Sequence, residues 1–199
     1  MDTLVYLLLG LTSVTGLGVV IWRAWALRWE NVVPTNLAIA ATECENENDV
    51  ENLRQHCNAE PSPLGRLLLL AIDHREWPKA ENEAAVESGA RHEIVKLESG
   101  LVILEIIVGI APLLGLVGTI FGMMNVFGDI GQTGLTNMSD ASKLASGISL
   151  ILRTTLIGLL ISIPALVAWS YFSKKVEVLA VEMETLCAGF IRKQYAGKN

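Results

Sequence analysis

Three apolar runs without a single charge, residues 4–22, 106–127 and 154–173, dominate this 199-residue chain. Crossing a bilayer takes roughly 20 apolar residues at about 1.5 Å each, and every run has that length. A buried core helix is the competing reading of any one of them. With three in so short a chain, too little other protein exists to bury them, so they read as membrane spans. Charged residues are only 18% of the chain, where soluble domains carry about 25%. With only four Phe and three Tyr, the apolar excess lies in Leu, Ile, Val, Ala and Gly, which suits closely packed membrane helices.

The first run lacks the layout of a cleaved signal peptide, which sets basic residues before its apolar core. Here Asp2 precedes the run while Arg23 and Arg28 follow it, which predicts a retained helix with its N-terminus outside. Eight Lys or Arg fall in residues 23–100 and five after Phe172, against Lys143 alone in residues 128–145. Basic residues collect on the cytoplasmic side. The expected plan is a first span over 1–22, a cytoplasmic helical loop over 23–100 and a second span over 101–127. An outer, periplasmic loop follows over 128–145, then a third span over 146–173 and a cytoplasmic C-terminal helix over 174–199.

No segment has the alternation of a strand, so the expected class is all-α. Within the loop, residues 36–42, 49–57 and 64–74 read as helices, with Pro61 and Pro63 as a break and Pro78 as a stop. From Lys79 onward Ala85, Ile94, Leu97, Leu101 and Leu104 recur at helical spacing, which predicts one long helix running into the second span. The third span is expected to continue as helix past Lys174 and Lys175 through Val178, Val181, Leu186 and Ile191.

The formal charge of −6 argues against a nucleic-acid partner. Cys44, Cys57 and Cys187 fall on the expected cytoplasmic side, where thiols stay reduced. His56, His74 and His92 show no metal-ligand spacing, and no nucleophile constellation points to an enzyme or to a cofactor.

The informative residues lie in the second and third runs. Gly115, Gly118 and Gly122 sit three and four apart on one helix face, which lets another backbone approach closely. Thr119 lies beside that face, and Pro112 frees backbone carbonyls within the membrane. Thr155, Gly158 and Ser162 share a face of the third run, with Pro164 just beyond. For any single Thr, ordinary packing is the competing reading, because its hydroxyl can bond back to its own helix. Two spans that both carry a small-and-hydroxyl face suggest a hydrated interior lined by both. Thr119 comes late in an outward-running span and Thr155 early in an inward-running one, so both are expected in the outer half of the bilayer.

Ala111-Pro-Leu-Leu-Gly-Leu-Val-Gly-Thr-Ile-Phe-Gly-Met123, together with Gly147-Ile148-Ser149, Thr154-Thr155, Gly158 and Ile163-Pro164, resembles the two signature helices of the MotA/TolQ/ExbB proton-channel family, most like its ExbB and TolQ branch. The resemblance extends to size, three spans and the large loop after the first. It implies a bacterial inner-membrane ring, typically a homopentamer. The ring would surround a small single-span partner resembling ExbD or TolR, which supplies the proton-carrying Asp. It further implies use of the proton motive force for transport or envelope work, with a TonB- or TolA-like protein downstream. Thr119 and Thr155 match the pore-lining hydroxyls of that pattern, and Ser162 and Glu105 are added here as candidates for the ion pathway.

Two positions depart from the pattern. That branch commonly has a Glu where this chain has Leu150, and is usually apolar where this chain has Arg153. A charge at the bilayer centre costs roughly 2.5–3.5 kcal/mol on the insertion scale. Arg153 is therefore read either as an anchor snorkelling to headgroups or as an ion-pair partner of Asp129, Asp140 or the partner protein. Glu105 either lines the cytoplasmic way out of the ion path or marks the interface. A non-conducting scaffold, or a flagellar-type stator using H⁺ or Na⁺, are the alternative functions.

Overall fold

The computed structural model describes residues 2–44, 46–133 and 138–196; the side chains of residues 2, 47, 129, 130, 132–144 and 150 lie outside the description. The outer-loop expectation for 128–145 falls largely on these positions, as do Asp129, Asp140 and the side chain of Leu150. Among the described residues there are eight helices: α1 Asp2–Ala26, α2 Trp29–Val32, α3 Thr35–Glu43, α4 Glu47–Ala59, α5 Pro63–Asp73, α6 Lys79–Glu98, α7 Leu101–Thr133 and α8 Met138–Ala196. No strand occurs among the described residues.

The chain divides into two compact units, one of residues 1–22 with 100–171 and one of residues 23–99 with 172–199. In the second unit the helix starts follow local chemistry. Asn46 and Asp49 form a reciprocal capping box at α4, with the Asn46 N–H donating to Asp49 Oδ2 at 3.0 Å. The Ser62 hydroxyl accepts from the Gly65 N–H at 3.0 Å, and Pro63 occupies the first turn of α5, where a missing N–H costs nothing. Leu37, Leu53, Leu64, Leu67 and Leu68 are buried, as are Leu179, Met183 and Ile191 of α8. Truncating any fully buried Leu here would cost about 2–5 kcal/mol.

Polar contacts fasten the same unit. Glu93 of α6 is nearly buried, pairs with Arg66 of α5 and accepts from Lys96 Nζ at 2.9 Å. The Tyr195 hydroxyl donates to the Trp77 carbonyl at 2.7 Å, tying α8 to the α5–α6 connection. Cys44, Cys57 and Cys187 are free and buried. Burial pushes the Cys57 thiol up to about 11, and burial, with the nearby Cys57 and Glu184 adding to it, pushes Cys187 up to about 12. These two thiols are neutral at physiological pH and poor nucleophiles.

One sequence expectation is corrected here. The helix that begins at Lys79 does not run unbroken into the second apolar run. It ends at Glu98, and Gly100 takes φ 85°, a left-handed conformation that only glycine adopts without penalty, before α7 opens at Leu101. Periodicity alone conceals this stop, since Leu97, Leu101 and Leu104 keep helical spacing across the break.

Among the described residues, three helices are long and apolar enough to cross a membrane: Thr3–Ala26, Leu101–Gly128 and Ala145–Ala196. Only 17%, 33% and 29% of their most apolar windows are buried inside the chain. So much exposed Leu, Ile and Val requires lipid or further protein around it. Ile107, Ala111 and Ala165, flanked by Val108 and Ile161, form the small core that joins α7 to α8.

Candidate functional site

Glycine brings α7 and α8 into backbone contact. A Cβ on Gly158 would lie 2.6 Å from the Ala111 carbonyl oxygen, and one on Gly115 would lie 3.0 Å from Thr155 Cα. Both collisions are with backbone, so no side-chain rotation relieves them. Gly118 faces the Thr154 methyl and Gly122 faces Ile151, where a Cβ would approach to 2.4 and 2.5 Å. The spacing of Gly115, Gly118 and Gly122 is therefore the seam along which α8 lies.

Polar groups along this seam are matched to one another. Pro112 has no N–H, so the carbonyl of Val108, four residues earlier, loses its helical donor. The Ser162 hydroxyl supplies the replacement, donating to the Val108 oxygen at 2.9 Å from a nearly buried position. Pro164 leaves the Leu160 carbonyl in the same situation by the same rule. Leu160 and Pro164 line a groove of about 580 Å³ with Gly10, Gly16 and Ala165.

Thr155 is held differently. Its hydroxyl donates to the Gly115 carbonyl at 3.4 Å, well beyond the usual 2.7–2.8 Å of an O–H···O bond. That carbonyl is the helical acceptor for the Thr119 N–H, four residues on, so the Thr155 hydroxyl and the Thr119 N–H address the same oxygen. The Thr119 hydroxyl donates to the Leu116 carbonyl at 2.6 Å, leaving its oxygen lone pairs open to accept. Thr119 and Thr155 are both half-buried, at the edge of the seam rather than within it.

Glu105 and Arg153 are exposed on α7 and α8, and neither forms an ion pair among the described residues. The carboxylates considered for Arg153, Asp129 and Asp140, and the side chain of Leu150, lie outside those residues.

Sequence reasoning passed over two groups. The buried stripe of α8 runs through Ile151, Thr154, Gly158, Ser162 and Ala165, so Thr154, at 5% exposure, packs inside while its neighbour Thr155 flanks it. The i, i+3, i+4 spacing of those residues was the available signal. Tyr6 of α1 was also missed, and its hydroxyl lies 3.3 Å from Thr154 Oγ1. A lone tyrosine in an apolar run gives no sequence sign of what it meets.

The profile of the MotA/TolQ/ExbB proton channel family matches residues 59–185, which take in α7 and most of α8. The chain is 31% identical to the biopolymer transport protein exbB1 of Vibrio cholerae over 128 residues, 64% of this chain and 55% of that one. It is 39% identical to the biopolymer transport protein ExbB of Helicobacter pylori over 84 residues, 42% of this chain and 56% of that one. To the Tol-Pal system protein TolQ of Pseudomonas aeruginosa it is 35% identical over 114 residues, 53% of this chain and 47% of that one. The chain spans about half the length of the curated relatives it matches.

Proposed function

The chain belongs to the MotA/TolQ/ExbB proton channel family, on its ExbB/TolQ side, and we propose that it is the channel-lining subunit of an inner-membrane motor driven by the proton motive force. Its ring, a homopentamer in this reading, encloses the membrane helix of an ExbD/TolR-like partner that carries the titrating Asp. The N-terminus faces the periplasm and the C-terminus the cytoplasm. Work leaves through the partner, toward a TonB- or TolA-like protein.

The observation that carries this reading is the unequal bonding of the seam hydroxyls. Ser162 is committed to a carbonyl at 2.9 Å, whereas Thr155 holds its acceptor at 3.4 Å beside Thr119. A loosely held hydroxyl at the seam edge can exchange its partner for water or a partner carboxyl at little cost. Protonation of the partner's Asp removes its charge and weakens its hold on Thr119 and Thr155, and deprotonation restores it. Each proton supplies about 2.3 kcal/mol per 100 mV of potential. Glu105 then serves the cytoplasmic side of the path, and Arg153 anchors the outer side to headgroups.

A non-conducting scaffold is favoured by one specific fact, that Thr155 and Ser162 both bond to carbonyls of α7. Reconstitution into liposomes with a single-span, Asp-bearing partner separates the two. Potential-driven proton uptake that disappears when the partner's membrane Asp becomes Asn is the expected result. An assembled complex with no uptake above empty liposomes contradicts the channel reading.

A further inference from the structure

A partly open pocket of about 120 Å³ lies in the membrane unit, lined by Val5 and Tyr6 of α1, Gly118, Gly122 and Asn125 of α7, and Thr154 of α8 among its walls. Water occupies about 30 Å³ per molecule in the liquid, so this space admits several waters. What matters is the polarity of the wall. Gly118 has no side chain, so the Thr154 methyl seats against it, 2.4 Å from where a Cβ would stand. Thr154 Oγ1 then meets the Tyr6 hydroxyl at 3.3 Å.

Two hydroxyls in contact have two protons between them, and only one lies in the shared bond. Either oxygen can be the donor. When Tyr6 donates, the hydrogen of Thr154, a residue only 5% exposed, has no acceptor among the described residues; when Thr154 donates, the remaining hydrogen is on Tyr6, whose side chain is exposed. In an apolar medium an unmet hydroxyl donor is costly. Asn125 on the same wall adds two amide donors and a carbonyl acceptor. Three polar groups around a space of this size meet the two to four partners that an ordered water needs.

We propose that this pocket is a water site held by Tyr6, Thr154 and Asn125. It makes the first span a functional wall of the membrane unit rather than a peripheral helix. Two of the seam residues on its wall neighbour in sequence a hydroxyl of the proposed ion path: Gly118 precedes Thr119, and Thr154 precedes Thr155. On the channel reading of the preceding subsection, on which this step rests, the site is a vestibule that hydrates that pair from the α1 side. The water site itself does not depend on that reading.

The test is hydroxyl-radical footprinting of the full-length protein in nanodiscs, with radicals generated by radiolysis of bound and bulk water and oxidation read by mass spectrometry. Tyr6 should be oxidised at a rate comparable to that of Tyr195. Thr154→Val, which keeps the methyl packing, and Asn125→Leu, at an exposed position, should each lower the Tyr6 rate about fivefold or more by drying the site. An unlabelled Tyr6 beside a labelled Tyr195, or a Tyr6 rate unchanged in both variants, overturns the proposal. Proton flux is not part of this readout, so failure of the channel reading would leave the result standing.

Discussion

The Ser162 hydroxyl donates to the Val108 carbonyl at 2.9 Å, taking the place of the backbone N–H that Pro112 lacks. A proline in one span and a serine in the next thus form a single hydrogen-bonding unit. Ser162→Ala should destabilise the α7–α8 pair by about 1 kcal/mol, within the range measured for hydrogen bonds between membrane helices. In a Pro112→Ala background the helical N–H returns to Val108, and the same substitution should cost markedly less. A double-mutant cycle on unfolding in detergent measures the difference, and additive costs would show that the two residues are not coupled.

The seam can be tested by adding one carbon. Gly158→Ala sets a methyl 2.6 Å from the Ala111 carbonyl oxygen, a backbone atom that cannot turn aside. The expected penalty is about 1–3 kcal/mol, as for other overpacked sites. Gly109→Ala, with nothing within 4 Å of the added atom, should be neutral or slightly stabilising. Thermal unfolding of the two variants in the same detergent checks the contrast.

Much of the fold was legible because membrane spans announce themselves by length and by the absence of charge. The seam was legible only in part. Gly115, Gly118 and Gly122 mark a face, yet glycine spacing says nothing of what approaches it. Thr154 and Thr155 are adjacent, about 100° apart around the helix, and a count of hydroxyls cannot tell which turns inward. Packing decides, because the Thr154 methyl fills the notch at Gly118. The Tyr6 contact was out of reach, since it joins helices 148 residues apart in sequence. The break at Gly100 was hidden because leucines on both sides keep one period.

Arg153 offers a different kind of test. It is exposed on α8, as an anchor at the headgroups would be, while Asp129 and Asp140 lie outside the described residues. Arg153→Leu should leave proton uptake unchanged while altering insertion or yield. A loss of uptake at normal assembly would assign the guanidinium to the ion path instead.

Glu93 makes acid stability readable in the helical unit of residues 23–99 and 172–199. Burial alone would push its pKa up, but hydrogen bonds and charge from Arg66 and Lys96 outweigh this and hold it below the usual carboxylate value. A carboxylate with a depressed folded pKa stabilises fully above its unfolded value of about 4.3, and that contribution fades as pH falls through the folded value. Glu93→Gln should therefore be less stable than the parent at pH 7, and the two should converge only once the pH has fallen below the folded value. Hydrogen exchange of α5 and α6 amides across this range gives the comparison, and equal protection at neutral pH would contradict it.

The central claim is that Thr119 and Thr155 form a conducting pair rather than a packing contact. Its most direct measurement is potential-driven proton uptake by liposomes holding the complex with its Asp-bearing partner, for Thr119→Val, Thr155→Val and the double variant. The substitutions preserve shape, so assembly should persist. Each single variant should lose at least about 90% of uptake, a rise of roughly 1.4 kcal/mol or more in the relevant barrier, with little further loss in the double. Full uptake in both single variants of an intact complex would contradict the claim.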